Sequence, residues 1–151
     1  MIWELIAAFF GTIGFSVLFH VPTRFYPWCG LIGAVGWGVY AGLRGSIGMV
    51  MATLAATVAI VCLSRFFAVK KECPVTIFLI SGIFSLVPGA GIYWTAYYLV
   101  VNEMSQASAK GIETLKVALA IVLGIVLVFE LPQGLFRIGT RSKKDKINHQ
   151  S

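Results

Sequence analysis

Charge is scarce in this sequence. Of its 151 residues only 12% are Asp, Glu, Lys or Arg, the acidic ones number six, and there are two histidines and three cysteines. So few carboxylates and imidazoles leave little from which to build acid–base chemistry or a metal cage. No stretch has the spacing of a zinc site, a phosphate-binding loop or a nucleophile elbow. With no nucleophile, metal site or acid–base pair to point to, neither an enzyme nor a cofactor is expected.

What is abundant is apolar. Hydrophobic residues make up 58% of the chain, against roughly half in a soluble domain, and the mean hydropathy is +0.88. The composition describes an all-α integral membrane protein with almost no room for a soluble domain. The net charge of +6 sits in connectors and a tail between apolar runs, so it is not a nucleic-acid signature. The N-terminal MIWELIAAFF carries Glu4 and no basic residue ahead of its apolar run. A secretory signal wants the reverse, so this segment is expected to be retained as a span.

The most informative stretch runs from Cys73 to Asn102, uncharged throughout and closed by Glu72 and Glu103. One helix through it would be about 45 Å long, against a hydrocarbon core of about 30 Å. Pro88 has no amide hydrogen and its ring clashes with the carbonyl of Phe84, while Gly89 and Gly91 tolerate an unwound turn. The sequence therefore predicts a helix broken at Pro88–Gly89, near mid-bilayer. Freed backbone groups cannot face lipid and must be buried in protein or line a wet cavity. Half-helix ends of this kind hold the charged groups of small substrates in transporters; the alternative is a proline kink that neighbouring helices accommodate.

Five transmembrane helices are expected, at 3–19, 28–43, 46–64, 74–101 and 117–131, forming a membrane domain over 1–136 and followed by a basic tail over 137–151. Gly11 and Gly14 are close-packing points of the first span. The second holds Gly30, Gly33, Gly36, Gly38 and Gly42, the last two at GxxxG spacing, and reads as a central helix. Arg44–Gly45 is expected to turn the chain, 66–72 to form a basic connector, and 103–116 to be a polar loop. Five spans place Arg24, Arg65, Lys70, Lys71, Arg137, Arg141, Lys143, Lys144 and Lys146 on one side, and Arg44, Lys110 and Lys116 on the other. This bias predicts the N-terminus outside and the C-terminus in the cytoplasm. Cys29, Cys62 and Cys73 then lie toward the cytoplasm, where reduced thiols are expected.

Ser81 and Ser85 lie one turn apart leading to Pro88, and Tyr93 follows it; with Pro88, Gly89 and Gly91 they are the candidate substrate-binding residues. The two hydroxyls either meet substrate or bond back to helix carbonyls. Tyr97, Tyr98 and Trp94 read as interfacial belt, as do Trp3 and Trp28. Arg24 and Arg65 form a candidate cationic vestibule on the cytoplasmic side, or else contact lipid phosphates. No ionisable residue is expected deep in a span, so a proton-coupling group would come from Glu130 or from a partner.

Three segments carry a family likeness: VPTRFYPWCGLIGAVGWG, then SRFF closing the third span, then LISGIFSLVPGAGIY. They resemble the short membrane subunit of the threonine/serine exporter family. The matching positions are Pro22, Arg24, Trp28, Cys29, Pro88, Gly89 and Tyr93; Ser85 departs, since relatives often place a proline there. The resemblance implies proton-driven export of threonine and serine, or in some pairs of succinate and other dicarboxylates, across the bacterial inner membrane. It also implies a longer five-span partner subunit, the two halves forming an inverted repeat. A membrane scaffold that does not itself transport is the competing class.

Overall fold

The computed structural model describes residues 2–132. The basic tail expected over 137–151 lies outside the described residues. Among the described residues six α-helices follow one another: α1 (Ile2–Leu18), α2 (Tyr26–Ile47), α3 (Met49–Lys71), α4 (Val75–Ile83), α5 (Gly89–Val100) and α6 (Met104–Phe129). Short 3-10 turns at Thr23–Phe25 and Phe84–Leu86 precede α2 and extend α4. By length and apolar composition α3 and α6 each suffice to cross a membrane. The α4–α5 pair makes a third such element when taken as one span bent by 45°. At 17 residues α1 is apolar but shorter.

The helices end where the backbone leaves the right-handed region. His20, Glu72 and Asn102 have φ of 55°, 53° and 62°, and Gly48 has φ of 83°. Gly48 is the one turn glycine that needs its freedom, because a side chain at that φ is strained. Pro27 stands in the first turn of α2, where its missing amide costs nothing.

Three connectors differ from expectation. The chain does not turn at Arg44–Gly45; α2 continues to Ile47 and turns at Gly48. Residues 66–71 belong to α3. The polar stretch over 103–116 is the first half of α6, not a loop. It holds no proline and is rich in Ala, Gln, Lys and Glu, all good helix formers. Its polarity marks where the helix leaves an apolar environment, not where it ends.

The helices run up and down. Gly33 meets Thr12 of α1, and Gly36 meets Ile60 of α3. Gly82 of α4 meets both Ile32 and Ile60. Gly124 of α6 packs on Thr57 of α3, and the two helices run parallel. Phe25, Ile32, Ile60, Phe67 and Phe78 fill the centre, with Phe78 edge-on to Phe25 at 5.5 Å. The close-packing points on α1 are Thr12 and Ser16, both buried, and not Gly11 and Gly14, beside which nothing lies within 4 Å. On α2 the tight face is Gly30, Gly33 and Gly36, while a Cβ added at Gly42 of the GxxxG pair would meet nothing within 4 Å.

Candidate functional site

The break in the fourth apolar stretch falls at Val87–Pro88, between the 3-10 turn and α5. Pro88 offers no amide to Phe84, so the helix tightens over Phe84–Leu86 and then opens. Gly89 donates instead to the Val87 carbonyl at 2.7 Å, and α5 restarts from there. The nine residues of α4 and its three-residue turn rise about 20 Å. The twelve residues of α5 continue at 45° to α4 and add about 13 Å along its axis. The bend thus fits an overlong stretch to a core of about 30 Å. It also places the opening at the level of the first turns of α3.

A cavity of about 340 Å³ opens at this point. The broken element contributes Ser85, Pro88, Gly89, Gly91 and Trp94; α2 contributes Trp37 and Tyr40, and α3 Met49 and Thr53. Its remaining wall is the polar half of α6, with Lys110, Glu113 and Thr114. Lys110 Nζ and Glu113 Oε2 pair at 2.8 Å across one turn. Three hydroxyls in the wall donate back along their own helices: Ser85 to Gly82 at 2.7 Å, Thr53 to Met49 at 2.8 Å, and Thr114 to Lys110 at 2.7 Å. Having given their protons to carbonyls, these oxygens keep accepting capacity. Gly91 is needed for the close approach of α5 to α6, since a Cβ there would run into the Thr114 side chain.

Of the six candidates from sequence, Ser85, Pro88, Gly89 and Gly91 meet at this cavity. Ser81 does not reach it. It is fully buried between α4 and its neighbours, donating to Ile77 at 3.2 Å beside the Cys29 thiol. Tyr93 is 62% exposed and turns outward, edge-on to Trp94 at 5.4 Å. Trp94, assigned from sequence to an interfacial belt, is the α5 aromatic that lines the cavity. Trp37, Tyr40, Lys110 and Glu113 were not candidates, and the Lys–x–x–Glu spacing on a helix was the one available signal.

The two vestibule arginines part company at the other end of the bundle. Arg24 is exposed, with its guanidinium 4.6 Å from the Phe25 ring centroid. Arg65 is only 6% exposed. Its Nη1 donates to the carbonyl of Val128, which also accepts the Leu131 amide, and, at 3.0 Å, to the carbonyl of Leu131 just past the end of α6. Arg65 also borders a cleft of about 420 Å³ with Glu72, Cys73 and Pro74. Burial pushes the Cys73 thiol up, against the opposing pull of Arg24 and Lys71. Arg65 therefore works as the clasp of α6 on α3. Arg65→Met is expected to cost about 1–3 kcal/mol, because two carbonyls at the end of α6 lose a charged donor. A lowered thermal midpoint in detergent would show it, and Arg65→Lys should recover only part, having one compact donor group instead of a fork.

A helical membrane protein with a helix opened over a cavity has the build of a transport protein. The family model for the threonine/serine exporter, ThrE, matches residues 4–130, and the chain belongs to that family. No solved structure matches it.

Proposed function

We propose that the chain is the short subunit of a two-component secondary exporter. It moves small polar metabolites, threonine and serine foremost, out of a bacterial cell across the cytoplasmic membrane, driven by protons. The observation that carries this is the α4–α5 helix opened at Pro88 over a cavity. A packing scaffold has no need of backbone laid open there, since freed amides and carbonyls are costly in lipid.

In this proposal the chain crosses the bilayer five times, α4 and α5 counting once. Arg24, Arg65, Lys70 and Lys71 gather at one end of the bundle, where Lys71 Nζ lies 4.6 Å from the Trp28 ring. That end is cytoplasmic by the bias of basic residues, and the N-terminus is outside. Ser85, Pro88, Gly89 and Gly91 line the route, with Ser81 and Tyr93 supporting it from the flanks. A longer five-span subunit of the same family supplies the oppositely oriented half. The titrating group is Glu130 or belongs to that partner.

Vesicles containing both subunits and loaded with labelled threonine test this. Release is expected only with both chains present and an imposed proton gradient, and a protonophore should stop it. Release from vesicles lacking this chain, or indifferent to the gradient, would overturn the respective part. Succinate release in place of threonine would favour the dicarboxylate alternative.

A further inference from the structure

The rim of the Pro88 cavity carries one positive and one negative side chain, and nothing so far gives them a task. Lys110 and Glu113 are 47% and 42% exposed, so their contact is held in a wet environment. An exposed pair of this kind is weak and opens readily. Opposite them, Gly89, Ala90 and Gly91 of the first turn of α5 line the same space. Among the described residues no backbone acceptor takes the amides of Ala90 and Gly91. These amides carry the partial positive charge of a helix N-terminus. The Thr114 oxygen beside Glu113 has already donated its proton, so toward the cavity it only accepts. The wall thus offers a cationic and an anionic place side by side, with side-chain charges summing to zero.

We infer that the Lys110–Glu113 pair selects zwitterions over dianions by exchanging partners with an α-amino acid. The solute's carboxylate takes Lys110 and the α5 amides, and its ammonium takes Glu113 and the Thr114 oxygen. Both charges of the pair remain compensated throughout. A dicarboxylate finds the same cation but sets its second negative charge against Glu113. Like charges at that distance are disfavoured, so dicarboxylates are refused at the rim. The cavity volume of about 340 Å³ suits a small solute, lying at the low end of the roughly 300–1,000 Å³ of ligand sites. The inference rests on the transport assignment of this cavity, and names the solute charge type that it takes.

Glu113→Gln and Lys110→Met in the full chain, assembled with the partner subunit, provide the test. Threonine and succinate are each titrated against the tryptophan fluorescence of the complex, Trp94 and Trp37 being in the cavity wall; Trp94→Phe identifies the signal. Wild type should respond to threonine and not to succinate. Glu113→Gln should weaken threonine about tenfold or more, the size of a lost charge-assisted contact, and admit succinate. Lys110→Met should weaken both. An unchanged threonine-to-succinate preference in Glu113→Gln overturns the selector, even if vesicles loaded with threonine still empty normally. No response to either solute in wild type, together with absent release, overturns the transport assignment itself. Both side chains are half exposed, so thermal midpoints of the variants should match wild type, and a fall in either would assign the pair to stability.

Discussion

Replacing Pro88 and Gly89 with leucine is expected to abolish threonine efflux while leaving the chain folded and bound to its partner subunit. Proline costs about 3 kcal/mol and glycine about 1 kcal/mol relative to a good helix former. The double substitution therefore biases this point toward unbroken helix by about 4 kcal/mol, or several-hundredfold in population. A leucine in place of Pro88 would supply the amide that the Phe84 carbonyl lacks, and the 45° bend between the arms would straighten. Ser85 and Trp94 would then no longer face one cavity. The first atom of a side chain at Gly89 has room, since a Cβ there meets nothing within 4 Å. Gly91 is left alone for the opposite reason, its Cβ being directed at Thr114. Efflux from vesicles, co-purification with the partner and helical content by circular dichroism are the readouts. Persistent efflux with a straightened helix would move the route elsewhere and revive the scaffold class.

The break was legible because its cause is local: Pro88 lacks an amide whatever surrounds it. The fate of the two serines was not. Ser81 and Ser85 share a face on a regular helix, but the 3-10 turn at Phe84–Leu86 advances about 120° per residue instead of about 100°. Ser85 is carried off the line of Ser81, which stays in the core beside Cys29. Arg65 was read as interfacial because it closes an apolar run. Its burial depends on the C-terminus of α6 arriving beside it, a contact between residues more than sixty positions apart that no local pattern reports. The same holds for Lys110 and Glu113. Polarity over 103–116 suggested a loop, whereas a helix places the two side chains on one face turned to the cavity. Family membership, by contrast, followed from short motifs and is shown over residues 4–130.

Gly33→Ala is expected to be the most damaging glycine-to-alanine change on α2, and Gly42→Ala to be harmless. The new Cβ at Gly33 would overlap the Thr12 side chain, with Thr12 Cβ only 2.7 Å away. Thr12 is 1% exposed and its hydroxyl donates to Ala8 at 2.7 Å. Being β-branched, it has little rotamer freedom on a helix. The clash cannot be relieved by swinging a side chain aside, so α1 and α2 must separate, at an expected cost of about 1–3 kcal/mol. Gly42→Ala meets nothing within 4 Å and should gain up to about 1 kcal/mol of helix propensity. Adding Thr12→Gly to Gly33→Ala removes the obstructing atoms and should restore much of the loss, which a general weakening of α2 would not allow. Thermal midpoints in detergent decide, and equal stability of the two alanine variants would deny that this glycine face holds the helices together. The consequence reaches the cavity, because Trp37 and Tyr40 stand one and two turns beyond Gly33 on the same helix. Moving α2 away from α1 shifts both rings, so efflux in Gly33→Ala should fall along with stability and return with it in the double variant.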